Sequence, residues 1–441
     1  EHLGTDDMLS ETSRLSHLLS HLDQADGRTV GRLAPWTLSS HFQPIYSLSH
    51  GRVVGHEALL RATGPEGQFV PPPEVFRSCR SSDDLADLDS ISRLVHLRNF
   101  VTQGPQSQWV FLNIHPEVFQ RLARRPDGGE AYLAGVSERV GVPGDRMVLE
   151  VLETDISDVP AMEAAMAAAR RHGCLIAIDD FGAGQSNFDR VWRMQPDIVK
   201  LDRNLIARAA RDRRTQRVVS QMASLLHECG AMVLMEGVET VDEAYIAMES
   251  DADMVQGYHF GRPQPALVPN GHAPQTISGL YPGLGVRRDR QRHEHRIKLA
   301  PYQHAIGNAG VLMSAGVSAE DACRDFLALT GADIAYVLDA DGYQIGTHLH
   351  PPGRGDSPRA GFEPLARSDG ACWARRPYFR RATEAIGKVQ TTRPYRTLHG
   401  KLVCVTVSYA FHHQENGRRE LRVVCGDMAW NESPPDAGEA A

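Results

Sequence analysis

The chain has 441 residues, 41% of them hydrophobic and 23% charged, with a net charge of −8. That length fits two domains, or one large barrel with an appendage. The acidic balance excludes a general basic field for nucleic acid, and no apolar run reaches the ~20 residues of a membrane span. The seven cysteines are dispersed and odd in number, with no C-x-x-C pair. This argues against structural zinc and a disulfide framework, so the expected location is a reducing cytoplasm. No signal peptide is visible, and a first residue of Glu1 rather than Met reads as a trimmed sequence.

Residues 1–37 are mostly polar. The leucines of "MLSETSRLSHLLSHLDQ" fall at helical spacing and predict a short amphipathic helix, a lid over the bottom of the next domain. Residues 38–268 then repeat one pattern. Eight β-rich runs appear in turn: "HFQPIYSL", "RVVGHEALLRA", "WVFLNI", "RMVLEVLE", "LIAIDD", "DIVKLD", "AMVLMEGV" and "MVQGYHFG". Helical stretches such as "SSDDLADLDSISRLVHLRNF" and "TQRVVSQMASLLHECG" lie between most of them. Near-continuous apolar strands alternating with helices predict an α/β fold, a TIM-like (β/α)8 barrel. The short Ser-His-Gly turn between the first two runs reads as a hairpin, which makes one strand antiparallel.

Residues 269–312 begin Pro- and Gly-rich and read as a linker followed by a connecting helix. Residues 313–430 carry an Asp-Gly turn between two β-rich runs, then two long alternating runs. They predict a second, α+β domain. The tail, residues 431–441, reads as disordered.

Nearly every barrel run carries a polar residue at or near its end. Glu57 is read as closing the second run, Asn113 the third and Glu150 the fourth. Asp179 and Asp180 close the fifth, Lys200 the sixth and Glu236 the seventh, while Gln256 borders the eighth. The C-terminal strand ends of such a barrel share one mouth, where active sites are built. Five carboxylates, an amide and a lysine suit Mg2+ or Mn2+ better than zinc. Adjacent Asp179 and Asp180 fit one ligand for each of two ions, a recurring device in phosphodiester hydrolysis. Singly, each residue also fits a helix cap or a surface charge; jointly they do not.

"HEALLRA" at His56–Ala62 contains Glu57-Ala58-Leu59. With "FQPIYSL", "FLNIHPEVF", "LEVLET", "IAIDDFGAGQSN", "DIVKLDRNLI", "MEGVET" and "VQGYHFGRP" in order, the first domain resembles the EAL-domain cyclic-di-GMP phosphodiesterases. The resemblance implies hydrolysis of cyclic di-GMP to linear pGpG with two Mg2+ or Mn2+ ions. It implies Glu57, Asn113, Glu150 and Asp179 as ligands of a first ion, Asp180 as a ligand of a second, and Glu236 close to both. Lys200 matches the lysine that contacts the attacking water; Lys200 and Glu236 are the alternatives for a base, with Glu57 counted among the catalytic residues. Arg61 matches a phosphate-contacting arginine, and Gln43, Leu59, Asp202, Glu239 and Gln256 match positions lining or bracing the substrate groove. Glu153 matches a glutamate that steadies the loop after Asp180. That loop departs from the family's usual D-F-G-T-G-Y-S-S at Ala183, Gln185 and Asn187. Two readings follow: an enzyme regulated by its second domain, or a cyclic-di-GMP receptor with weak or no turnover. Ca2+ is expected to inhibit, because its looser geometry misplaces the water. A homodimer is also expected.

The second domain resembles, more loosely, PAS- or Cache-like sensor domains, on "IAYVLDADGYQIG" and "RPYFRRATEAIGKVQTTRPYRTLHGKLVCVTVSYAF". The resemblance implies a pocket faced by Arg376, Tyr378, Tyr395 and Arg396 for a small-molecule ligand. The competing reading is that these residues only pack the domain.

Overall fold

The structure is a computed structural model that describes residues 13–104, 107–125, 129–152, 159–184, 188–269, 272, 274–353, 368–397, 403–415 and 418–430. Glu153, Gln185, Asn187 and the 431–441 tail lie outside the described residues. Two compact units divide within the helix Gln275–Ser314, the first reaching Gly285 and the second starting at Val286.

The strands of the first unit are β1 (Leu22–Ala25), β2 (Arg28–Leu33), β3 (Trp36–Ser47), β4 (Arg52–Thr63), β5 (Phe69–Val70), β6 (Trp109–Asn113), β7 (Met147–Leu152), β8 (Leu175–Phe181), β9 (Ile198–Leu201), β10 (Met232–Met235) and β11 (Met254–Val255). They form one sheet in the order β1-β2-β3-β11-β10-β9-β8-β7-β6-β4-β5, and an added β3–β4 pairing closes a ring of eight. Within that ring β3 is antiparallel to both β4 and β11, and the other neighbours are parallel. The barrel with one antiparallel strand is therefore as the sequence predicts.

Helices pack outside it, and their ends follow local chemistry. Ser81 caps Ser82–Thr102 by accepting from the Asp84 N–H, and Thr240 and Glu243 form a reciprocal capping box at Val241–Glu249. Asp212 caps Arg213–Glu228 through two backbone N–H groups. The Ser82–Thr102 helix is buried on nearly all sides, and it carries an Asp89–Arg93 ion pair into the core.

Two expectations need correction. Residues 13–20 are helical and bury Leu15 and Leu18, as the leucine spacing predicts, but the chain then enters a β1–β2 hairpin. Its turn is Asp26-Gly27, both at positive φ (50° and 72°), a legible hairpin signal. The Pro/Gly-rich stretch read as a linker is helical from Gln275. Ile277 and Leu280 are buried in the barrel's outer core, and the Tyr281 hydroxyl donates to the Leu48 carbonyl. Gly283 lies so close to the Tyr245 hydroxyl that no Cβ would fit. Packing against the barrel thus offsets the poor helix propensity of Pro and Gly.

The second unit carries an antiparallel sheet of β12 (Ala332–Leu338), β13 (Gln344–Leu349), β14 (Gln390–Thr391), β15 (Tyr395–Arg396), β16 (Val403–Glu415) and β17 (Arg418–Ala429). Its order is β13-β12-β17-β16-β14, with β15 also on β16. Alternation along the strands separates two faces. Ala335, Val337, Val407 and Val424 pack with Ile306, Ala309 and Met313 of the long helix. Ile334, Tyr336, Val423 and Cys425 pack with Tyr378, Phe379 and Ala382 of the helix Pro377–Glu384.

Candidate active site

A separate apolar cluster fills the barrel interior: Ile45, Phe111, Val148, Ala177, Ile198, Leu234 and Met254. These come one from each of β3, β6, β7, β8, β9, β10 and β11. On β4 the same level is taken by Gly55, where a Cβ would stand 2.9 Å from the Phe111 ring and from the Trp109 carbonyl. Side chains two residues apart on a strand share a face. Two residues beyond each plug position, toward the mouth, stand Glu57, Asn113, Glu150, Asp179, Lys200, Glu236 and Gln256. On antiparallel β3 the same step runs backwards, from Ile45 to Gln43. One layer above the plug thus holds eight polar residues, all of them expected from sequence.

The layer's contacts converge on Lys200. Its ammonium lies 2.5 Å from Glu150, 2.6 Å from Glu236, 3.2 Å from Asp179 and 3.8 Å from Glu57. Lys200 is 0% exposed and Glu150 is 1% exposed. Burial opposes the lysine's charge, but Asp179, Glu150, Glu236 and Glu57 outweigh it and hold the proton well above the usual lysine range. Burial, reinforced by Glu57 and Asp179, drives the Glu150 carboxyl well above the carboxylate range despite Lys200. Burial likewise pushes Glu236 up to about 8. Amides fix Glu57 from both sides: Asn113 Nδ2 donates to Oε1 at 3.1 Å, and Gln256 Nε2 to Oε2 at 2.7 Å.

Asp180 breaks the alternation. A regular strand would aim it away from Asp179, yet its φ is +57° and the β8–β9 register shifts between Ile178 and Phe181. The bulge re-aims the side chain, a device common beside active sites. Asp179, Asp180 and Glu236 thereby offer ligand atoms all within 4.8 Å of one another. Partial desolvation, then Asp179 and Asp202, push the Asp180 carboxyl up.

The remaining expected residues surround this core unevenly. Glu57, Leu59 and Arg61 share one face of β4, which runs past the mouth, so Glu57 sits mid-strand rather than closing its strand. Leu59 and Arg61 are half-buried on that overhang. Gln43 donates to the Gly261 carbonyl at 3.2 Å. Asp202 is buried and caps Arg203–Arg211 through the Asn204 N–H at 3.0 Å. Glu239 is exposed, 3.9 Å from Arg203, and no described contact joins it to the Lys200 cluster. Ala183 is exposed at the start of the loop.

A donor set of carboxylates and one amide suits hard cations. If all five carboxylates are ionised, one lysine leaves four negative charges in a largely buried site, which two divalent ions would balance. Both Glu150 carboxylate oxygens are buried without a well-formed hydrogen bond. The residues present therefore fit divalent metal.

The EAL domain family model matches residues 33–263, over half the chain. The chain belongs to the EAL domain family. The EAL domain here is 27% identical over 230 residues to the cyclic di-GMP phosphodiesterase RocR of Pseudomonas aeruginosa, covering 51% of this chain and 57% of that protein. It is 24% identical over 241 residues to the cyclic di-GMP phosphodiesterase PdeL of Escherichia coli, covering 52% and 62%. The chain thus spans little over half the length of these relatives. A solved structure of the Bacillus subtilis YkuI protein, with an EAL domain, in complex with cyclic di-GMP and calcium, matches with a TM-score of 0.72 at 19% identity. That match covers 90% of this chain and 97% of the other, and it supports the fold. Among the described residues, no helix is long and apolar enough to cross a membrane.

Proposed function

We propose that the barrel hydrolyses cyclic di-GMP to linear pGpG with two Mg2+ or Mn2+ ions, and that the second unit regulates it. The observation that carries this reading is the layer of charge at the mouth: four carboxylates converge on one buried lysine directly above an apolar plug, and Asp180 stands beside them. Glu57, Asn113, Glu150, Asp179, Asp180 and Glu236 would hold the ions. When bound, divalent ions supply charge neutralisation at phosphate and acidify a water.

The protein's own groups do the rest. In the reaction, water oxygen bonds to phosphorus, one P–O bond to a ribose oxygen breaks, and the leaving oxygen takes a proton. Lys200 carries a fixed proton and positive charge at the centre of the site, placed to hold the water and to offset charge developing at phosphate. Glu236 can take up a proton near neutral pH. Arg61 offers a guanidinium fork to phosphate oxygens from the β4 overhang. Leu59 and Gln43 would line the groove. Ca2+ would occupy the site and slow turnover.

The test is product analysis with purified protein, cyclic di-GMP and Mg2+ or Mn2+, with Asp180→Asn in parallel. Appearance of pGpG, with a loss of roughly a hundredfold or more in the variant, supports the enzyme. The loop departures at Ala183, Gln185 and Asn187 favour a second reading, a receptor; binding of cyclic di-GMP without product in either protein would establish it.

A further inference from the structure

The pocket of the second unit is independent of the barrel chemistry. On β17, Val423 and Cys425 face the helix Pro377–Glu384, and alternation carries the same face to Asp427. Asp427 is 3% exposed. Its Oδ1 accepts from Thr406 Oγ1 at 2.7 Å, and the Tyr395 hydroxyl in turn lies 2.5 Å from Thr406 Oγ1. Burial, aided by Asp333, pushes the Asp427 carboxyl up to about 7.

Asp427 lines a recess with Tyr336, Trp373, Arg376, Tyr378 and Tyr395. The Arg376 guanidinium carbon is 6.0 Å from the ring centres of both Trp373 and Tyr395. Its Nε is buried with no hydrogen-bond partner. The two opposite charges feel each other across the recess but form no ion pair. Arg396, expected to face this pocket, is exposed and does not line it.

A buried carboxylate and a guanidinium with an unused donor, held apart by aromatic walls, form a bipolar site. An anion alone would face Asp427, and a cation alone would face Arg376; either would meet like charge at one end. A molecule carrying both charges satisfies both ends. We propose that this pocket binds a small zwitterion of the α-amino acid class, its carboxylate on Arg376 and its ammonium on Asp427. The recess measures about 300 Å³ including its open mouth, of which about 20 Å³ admits a water-sized guest. An amino acid therefore enters only as the rim opens. The half-exposed Trp373 shifts at the rim on entry while Arg376 meets the carboxylate, so binding changes the surroundings of Trp373.

The test uses the full chain. Free L-α-amino acids are screened at millimolar concentration by calorimetry and tryptophan fluorescence, beside acetate, propionate, methylammonium and ethylammonium. The expected result is saturable binding of at least one amino acid, a fluorescence change lost in Trp373→Phe, and no comparable binding of the single-charge probes. Arg376→Gln should weaken binding roughly tenfold or more. Asp427→Asn should do the same, and retained thermal transitions in both variants show that folding survives. The proposal is overturned if no amino acid binds. It is equally overturned if the single-charge carboxylates bind as tightly, or if a folded Arg376→Gln protein keeps full affinity.

Discussion

The barrel mouth and the pocket of the second unit obey one construction rule and differ in charge. In each, an apolar row along a strand continues by alternation into a polar residue, from Ala177 to Asp179 in one and from Cys425 to Asp427 in the other. At the mouth, four carboxylates share a single lysine and Asp180 adds a fifth beside them, so acidic groups outnumber the cation they surround. In the pocket, one carboxylate faces one guanidinium, and the proposed ligand matches both signs. The same geometry thus selects different ligands through the ratio of charges placed on it.

The largest expected effect comes from removing the lysine at the centre of the polar layer. Lys200→Met should abolish hydrolysis and destabilise the metal-free barrel by about 3 kcal/mol, since it strands buried carboxylates. Thermal melting with and without Mn2+ checks this. Added metal should recover stability but not activity. Full activity in the variant would remove Lys200 from the chemistry.

Gln256→Ala is the next step down. It frees one oxygen of Glu57, and loss of an orienting partner of a metal ligand should lower metal affinity about 10- to 100-fold. A Mn2+ titration of hydrolysis reads this directly. Gly55→Ala tests the plug rather than the polar layer. Its Cβ would press on Phe111 and the Trp109 carbonyl, so stability should fall by about 1–3 kcal/mol in a denaturant melt.

The smallest effects are in pH, and they run in opposite directions in the two units. Burial lowers His96, in the helix beside the barrel, from 6.5 to about 3. Its folded pKa lies below its unfolded one, so the neutral ring's contribution is present above about 6.5 and is lost as pH falls toward 3. Asp427 is raised from 3.8 to about 7. The fold favours its neutral form, so its contribution is present below about 4 and is lost as pH rises through 7. Thermal scans across pH should show a His96-dependent loss of barrel stability in acid, absent in His96→Gln, and an Asp427-dependent loss in the second unit toward neutrality. Asp427→Asn should flatten only the second slope.

Much of the site was legible because most residues of the polar layer stand two positions from an apolar residue of a recognisable strand. What the sequence hid has local causes. Glu57 looked terminal because nothing in "RVVGHEALLRA" shows that β4 runs on past the mouth. The β1–β2 hairpin went unread beside a helical leucine pattern, although Asp26-Gly27 announces it. The helix through Pro282 and Gly283 is tertiary in origin, made by the approach to Tyr245. Arg396 follows Tyr395 on a strand and so points to the opposite face. Asp427 stood alone in "RVVCGDMAW", with no motif to mark it.

The antiparallel first strand of the ring has a consequence for how the protein is made. β3 must pair with β11, and Glu57 must meet Gln256, a partner 199 residues later. Chains fold as they leave the ribosome, and distant pairings close slowly. Glu57 therefore emerges early and waits, its carboxylate without one of its two amides, while most of the barrel is still being translated. The eight-membered layer becomes whole only when the last strand of the ring arrives.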